Sequence, residues 1–210
     1  RKNKSIIENS QSNPLMAGVP TVALEKHLNR IVQEQKYTVI IIKQVGVPPK
    51  VTRVIDSIIS PGTNFDFIVN SDENNITSLV IDQIKGNYII GYSCIDVTTG
   101  KCFFNEVFET SEDTSFALDE IFNYMNMHKT SEIILTFADK NINQNEIIEY
   151  LELSNKTFHI STLRLKINYQ NELFKNIFVI ESLLSPIEYI DMERYSLASE
   201  SLAILIDFII

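Results

Sequence analysis

Residues 14–63 read PLMAGVPTVALEKHLNRIVQEQKYTVIIIKQVGVPPKVTRVIDSIISPGT, and this stretch sets the organisation of the chain. After an opening loop, apolar residues recur at helical spacing and predict a helix over about Thr21–Gln35. The run Thr38–Val45 that follows is continuous and rich in β-branched residues, which is typical of a strand covered on both faces. The stretch therefore begins as a loop, a helix and a strand.

The second half of this stretch predicts another strand and a stop. Pro48 and Pro49 end the first strand, because proline cannot donate a backbone hydrogen bond. The apolar pattern resumes over Val51–Ile59, and the Pro-Gly pair in Ser60–Thr63 predicts a closing turn. We therefore expect a small mixed α/β subdomain at the start of the chain.

Positive charge is concentrated in this first part. Residues 1–63 contain nine Lys or Arg and four Asp or Glu, a net charge of +5, whereas residues 64–210 contain nine and 23, a net charge of −14. A basic segment on a chain whose total charge is −9 favours a polyanionic partner for that segment alone. Uneven solubilising charge is the alternative explanation.

Six residues of the basic segment are candidates for contact with a nucleic-acid backbone. Lysine and arginine side chains neutralise phosphates, and a loop of small residues allows close approach of backbone amides. Each lysine or arginine taken singly is also typical of a solvated surface. The candidates are Met16, Ala17, Gly18, Lys43, Lys50 and Arg53.

The rest of the chain has the pattern of a sheet with helices packed on it. Three strands separated by short turns predict an antiparallel meander, and alternating helices and strands follow. The predicted strands are Thr77–Ile84, Asn87–Val97, Lys101–Phe108, Glu132–Phe137 and Thr157–Ile160, and the predicted helices are Ser111–Met127 and Asn145–Leu151. A helical segment from Tyr169 to Phe178 comes next.

A long amphipathic pattern begins near Ile187 and is still strong at Ile210. Neither a glycine stop nor a polar end closes it, so we expect a chain that is cut within a helix and continues beyond it. The whole pattern predicts an α/β (α+β) chain: a small mixed subdomain, a mixed sheet with flanking helices, and a final amphipathic helix, which the family resemblance described below implies is the start of an all-helical domain.

Several functional classes find no support in the sequence. Cys94 and Cys102 are expected to be free thiols, and the three histidines lack partners at metal-ligand spacing. The segment 86–93 copies the spacing of a phosphate-binding loop but has Tyr92 where lysine is required. No apolar run has the length of a membrane span and no signal peptide is recognisable, which predicts an intracellular protein.

One enzymatic alternative stays open. A three-strand meander followed by helix, strand and helix is also the outline of ribonuclease H-like nucleases, which bind two metal ions through carboxylates. Asp82, Asp96, Glu106 and Asp139 are the carboxylates to consider. Asp96 also precedes the turn Thr98–Gly100, where aspartate commonly makes local hydrogen bonds.

Six segments carry a resemblance to one protein family. PLMAGVP, the helix ALEKHLNRIV, the strand ending in Lys43-Gln44, and VTRVIDSIISPGT resemble the second half of the mismatch-binding domain of the MutS family of DNA mismatch repair proteins. YSCIDVTTGKCFFNE is similar to the family's connector domain, which has a ribonuclease H-like fold without a nuclease site. IEYIDMERYSLASESLAILIDFI resembles the opening helix of the family's helical core.

This resemblance implies a domain plan. Residues 1–63 correspond to the end of the mismatch-binding domain, 64–76 to a linker, 77–178 to the connector and 179–210 to the start of the helical core or lever domain. The family's Phe-x-Glu mismatch reader is absent from the chain, and Lys43 stands where the family usually has glutamate. These departures suggest a divergent branch, viral or organellar.

The resemblance also implies function. The full-length protein is expected to bind mismatched double-stranded DNA as a homodimer and to hydrolyse ATP with magnesium outside this segment, whereas the segment itself has no catalytic residues and no cofactor. The connector is expected to offer a docking face to a repair partner. The alternatives are a metal-dependent ribonuclease H-like nuclease and a purely structural interaction module.

Overall fold

The computed structural model describes residues 8–34, 36–47, 50–64 and 74–210 of the chain. It divides into two compact units, the hairpin unit (residues 1–58) and the sheet unit (residues 59–210). The expected end of the first helix at Gln35, the turn at Pro48 and Pro49, and most of the expected linker 64–76 lie outside the described residues.

The hairpin unit contains one helical segment and two strands. A short 3-10 turn at Thr21–Ala23 leads into α1 (Leu24–Asn29), and a π-helical turn at Arg30–Glu34 continues it. Strands β1 (Val39–Val47) and β2 (Lys50–Ile59) form a two-stranded sheet. The predicted order of loop, helix, strand and strand is confirmed.

The expectation that the first strand is covered on both faces is wrong. Ile40 and Ile42 are 54% and 57% exposed, and Ile55 on the neighbouring strand is 63% exposed. Two strands alone form a thin ribbon, and in the part of the chain that the structure describes no helix covers it on both faces. A continuous apolar run predicts a strand but does not show what packs on it.

The sheet unit is built on five strands with helices between and after them. Its strands are β3 (Asn75–Ile84), β4 (Asn87–Asp96), β5 (Lys101–Phe108), β6 (Thr130–Phe137) and β7 (Phe158–Ser161). Its helices are α2 (Phe116–Met127), α3 (Gln144–Tyr150), α4 (Ile167–Ile177), α5 (Pro186–Tyr189) and α6 (Ser196–Ile209).

The strands follow the spatial order β5-β4-β3-β6-β7. Strands β3, β4 and β5 form an antiparallel meander, whereas β6 and β7 run parallel to β3. This is the mixed sheet predicted from the sequence, with the strand order of a ribonuclease H-like domain. The predicted α/β fold class is confirmed.

Helices cover both faces of this sheet. On one face Leu79, Ile81 and Ile90 belong to the same buried cluster as Ile121 of α2 and Ile147 of α3. On the other face a second buried cluster joins the sheet to α4, α5 and α6. Its members include Ile76, Val80, Ile134, Phe174, Ile187, Leu202 and Leu205.

Helix α6 lies directly against the backbone of the sheet. A Cβ atom placed on Gly91 of β4 would lie 2.1 Å from the carbonyl carbon of Leu197. The carboxylate of Glu106 accepts hydrogen bonds from the first backbone amides of the helix, Leu197 N at 2.8 Å and Ala198 N at 3.1 Å. Ser201 Oγ donates to Ser78 O at 2.7 Å across the buried interface.

The compact units of the structure and the domain plan implied by the family resemblance divide the chain differently. The stretch 179–210 packs on the sheet and belongs to the same compact unit as residues 77–178. The family boundaries stay predictions. None of the helices in the described residues is both long and apolar enough to cross a lipid bilayer.

Candidate nucleic-acid interface

The loop that holds Met16, Ala17 and Gly18 is exposed in the hairpin unit. Met16 is 66% exposed, and a Cβ atom on Gly18 would have nothing within 4 Å. Asn9 Oδ1 accepts a hydrogen bond from Leu15 N at 2.8 Å and fixes the entrance of the loop. A backbone with so much open space is accessible to a ligand as extended as a sugar-phosphate chain.

Lys43 lies on β1 and is held by a neighbour on β2. Its Nζ atom is 2.7 Å from Asp56 Oδ1, and the two side chains are 65% and 33% exposed. The sequence analysis did not identify this partner, although an acid and a base on adjacent strands are a common cross-strand pair. The ion pair reduces the positive charge that Lys43 presents to solvent.

Lys50 and Arg53 lie on β2 and are both exposed. In the part of the chain that the structure describes, neither side chain has an acidic group at ion-pair distance. Because side chains alternate along a strand, Lys50 shares the face of Asp56 and Lys43, whereas Arg53 lies on the opposite face. The structure therefore does not bring the three basic residues into one cluster.

The hairpin can nevertheless reach a polyanion from either face. Among the described residues, Lys50 and Arg53 are exposed cations without an acidic side chain at ion-pair distance, one on each face of the ribbon. The helix before it adds little net charge, because Arg30 is paired with Glu34 at 3.3 Å. Lys50 and Arg53 are thus the strongest of the candidate residues.

Two of the four carboxylates of the nuclease alternative, Asp82 and Asp96, lie at opposite ends of the sheet. Asp82 pairs with Ile89 near one end of β3, whereas Asp96 pairs with Asn75 at the other end. Seven residues of strand separate them, roughly 23 Å at about 3.3 Å per residue. Within the described ranges, no group of three or more His, Cys, Asp or Glu side chains could hold a metal ion.

Two of these carboxylates have structural partners instead. Asp96 accepts hydrogen bonds from Thr98 N, Thr98 Oγ1, Thr99 Oγ1 and Asn74 N. Burial raises the pKa of Asp96, but these hydrogen bonds outweigh it and lower the pKa to about 2. Glu106 caps α6, as described above, so neither carboxylate is available for metal chemistry.

The segment with the spacing of a phosphate-binding loop does not fit a nucleotide. Gly86 lies in the turn between β3 and β4, and Gly91 lies within β4 against the backbone of α6. A phosphate-binding loop leads from a strand into a helix and leaves its amides open to the ligand. These residues therefore give ATP no binding site.

The cysteines and histidines differ in burial and in the residues that they contact. Within the described ranges neither cysteine forms a disulfide; Cys94 is buried and Cys102 is exposed. His27 is exposed, and the His128 ring packs against Tyr124 with centroids 4.6 Å apart. His159 is bonded to a buried glutamate, Glu132, that the sequence analysis did not single out.

Comparison with known proteins points to one family. Residues 2–67 match the family described as MutS domain I. A mutS homologue of Acanthamoeba polyphaga mimivirus is 28% identical over an alignment that covers the whole chain. The DNA mismatch repair protein MutS of Fusobacterium nucleatum is 30% identical over 94% of the chain, and that of Rickettsia prowazekii is 33% identical over 67%.

The chain spans only part of these relatives. It covers 21% of the mimivirus protein, 20% of the Fusobacterium protein and 16% of the Rickettsia protein. The matched domain I region contains the exposed loop, α1 and both strands of the hairpin, and all six candidate residues lie in it.

Proposed function

Because the chain belongs to the MutS family of DNA mismatch repair proteins, we propose that it supplies DNA-backbone contacts to a protein that binds mismatched or distorted duplex DNA. One observation supports this most strongly. In the described part of the segment that matches domain I, Lys50 and Arg53 are exposed and have no acidic group at ion-pair distance, on a chain whose net charge is −9.

The physical basis is charge neutralisation combined with the deformability of the DNA. Lys50, Arg53 and, less strongly, Lys43 neutralise phosphates, and the open loop Met16–Gly18 approaches the backbone. Such contacts position a duplex without reading its sequence. Mispaired steps unstack at low cost, so a protein that kinks its target discriminates through the energy of deformation.

The remaining activities belong, in this proposal, to the whole protein. We propose that it acts inside the cell as a homodimer, and that ATP and magnesium bind outside this chain, since segment 86–93 does not fit a nucleotide. The sheet unit is proposed to act as the connector and to offer a face to a repair partner. The separation of Asp82 from Asp96 leaves the nuclease alternative without an observation that favours it.

We expect the triple change Lys43→Ala, Lys50→Ala and Arg53→Ala to weaken DNA binding and to reduce its salt dependence. Each lost phosphate contact reduces the slope of log K against log salt by about 0.9. The loss should come mainly from Lys50 and Arg53, because Asp56 already pairs with Lys43. Fluorescence anisotropy with a labelled mismatched duplex at several salt concentrations measures both quantities.

The matched control changes the same net charge on the sheet unit. Lys140, Lys166 and Lys175 are exposed there, and their triple alanine variant should keep the slope of the unmodified chain. Equal losses in the two variants would mean that total charge alone governs binding. An unchanged affinity in the hairpin variant would favour a structural interaction module.

A further inference from the structure

The turn Ser60–Thr63, here called the junction turn, follows β2 and begins the sheet unit. It is closed on itself, because Thr63 Oγ1 accepts a hydrogen bond from Ser60 N at 3.0 Å and lies 2.9 Å from Ser60 Oγ. Ser60 is only 4% exposed, which is unusual for a polar residue at a turn between two units. The turn is therefore tied down by something beyond its own bonds.

A fully buried carboxylate holds the junction turn in place. Glu132, near the start of β6, is 0% exposed, and its Oε2 atom accepts hydrogen bonds from Ser60 Oγ at 2.5 Å and from Gly62 N at 2.9 Å. A buried carboxylate is costly unless its oxygens are satisfied. Here the donors that satisfy one oxygen both come from the junction turn.

The other oxygen of the same carboxylate is bonded to β7. Glu132 Oε1 lies 2.5 Å from His159 Nε2, and the His159 ring packs against Phe208 of α6 with centroids 5.6 Å apart. One side chain thus bridges the junction turn to the parallel half of the sheet. Glu132 is the charged group that faces His159 from β6, and the aromatic ring of Phe208 faces it from α6.

The turn is also shaped to fit this carboxylate. A Cβ atom on Gly62 would lie 2.7 Å from Glu132 Oε2 and 2.6 Å from Ile76 Cγ1, so another residue there would require Glu132, Ile76 or the turn to shift. On the far side, Asn74 Nδ2 donates to Gly62 O at 2.7 Å, while Asn74 N donates to Asp96 Oδ1 at 3.2 Å. The turn is therefore held from β6 and from the start of β3.

We propose that Glu132 is a positioning residue that anchors the junction turn to the sheet and makes the chain stiff where it passes from β2 into the sheet unit. His159 strengthens the anchor when it is protonated, because the imidazolium adds the attraction of opposite charges to the hydrogen bond with the carboxylate. The anchor itself does not depend on DNA.

The protonation of His159 determines in which direction the strength of the anchor changes with pH. The hydrogen bond that His159 donates to Glu132 raises the pKa of His159 above its usual value of about 6.5, and burial only partly offsets this. The added strength that protonated His159 gives the anchor is therefore fully present below about pH 6.5. It is lost as the pH rises through the raised pKa of His159.

Amide hydrogen exchange of the 210-residue chain, followed by NMR, tests the anchor. Changing Glu132 to leucine removes the acceptor of Gly62 N, so the exchange of this amide should become about tenfold faster or more, while the amides of β3 and β4 keep their protection. The matched control is Glu200→Leu, which removes another buried carboxylate of the sheet unit, the partner of Arg164. It should leave Gly62 unchanged.

A second variant keeps the test decisive if Glu132→Leu does not fold. Glu132→Gln keeps an acceptor for Gly62 N but removes the charge that faces His159. Relative to intrinsic exchange, Gly62 should lose protection with rising pH in the unmodified chain and show no such dependence in Glu132→Gln.

Unchanged Gly62 exchange in Glu132→Leu, or equal loosening in Glu200→Leu, would overturn the proposal. So would a pH dependence that survives in Glu132→Gln. None of these readouts uses DNA, so a chain that fails to bind DNA would refute the proposed function and leave the anchor to be decided by exchange.

Discussion

Replacing Gly91 with valine is expected to lower the free energy of unfolding of the sheet unit by roughly 3 kcal/mol or more. The added Cβ would lie 2.1 Å from Leu197 C and 2.3 Å from Ala198 N. Both are backbone atoms of a helix start that Glu106 already holds, so neither can move aside as the end of a flexible side chain could. Helix α6 must then lift from β4, and it loses the buried contacts of that face.

Urea unfolding followed by circular dichroism measures this loss. Gly18→Ala is the matched control, because Gly18 has open space around it and its unfolding free energy should change by no more than about 0.5 kcal/mol. A Gly91→Val variant as stable as the unmodified chain would mean that α6 does not pack on β4. The same experiment asks whether stretch 179–210 depends on the sheet for its fold.

Phe174→Ala is expected to cost about 3 to 5 kcal/mol, the usual range for a buried phenylalanine. Phe174 on α4 is 0% exposed, packs edge-on against Phe178 and belongs to the cluster that joins the sheet to α6. The deletion leaves a cavity between the helices and the sheet, where parallel strands restrict collapse. The loss should appear in the same urea measurement.

Leu183→Ala is the control for this second prediction. Leu183 lies between α4 and α5 and is fully exposed, so its truncation removes no buried contact and should change stability by less than about 0.5 kcal/mol. If Phe174→Ala and Leu183→Ala have equal effects, the second cluster is not a core. A loss for Phe174 alone confirms that the C-terminal helices and the sheet share one core.

The elements of the sheet unit could be predicted from the sequence because each has a local signal. Short turns such as Lys85-Gly86 separate the strands of the meander, and the change from a period of two to a helical period marks α2. The alternation of helices and strands after the meander predicted a sheet with both antiparallel and parallel strands. The fold class therefore depended on signals that lie within a few residues of one another.

The features that could not be predicted depend on distant residues. Glu132 lies 72 positions from Ser60, so no local pattern indicates that its carboxylate holds the junction turn. The position of α6 against β4 depends on Gly91. Because Gly91 has no side chain, a helix more than a hundred residues later in the chain can lie close to the backbone of β4. An amphipathic helix shows that it packs but not on what, so the sequence alone does not show that stretch 179–210 packs on the sheet.

The candidate interface was predictable in charge but not in geometry. Residue types and the family resemblance led to Lys43, Lys50 and Arg53, but only the paired strands show that Asp56 binds Lys43. Basic residues close in sequence on a hairpin suggest a single patch of positive charge. Strand alternation nevertheless places Arg53 on the face opposite Lys50. The structure thus shows that Lys43 has an acidic partner, whereas the DNA contacts of the six candidate residues stay predictions.

The most direct test of the proposed function is an NMR titration of the isotope-labelled chain with a short mismatched duplex at low salt. We expect the largest chemical-shift changes at Met16–Gly18 and around Lys50 and Arg53, with the acidic sheet unit unaffected away from the junction turn. The Lys50→Ala, Arg53→Ala double variant should lose most of these changes. Absence of binding at low salt, or shift changes confined to residues 74–210, would contradict the proposal that the hairpin unit contacts DNA.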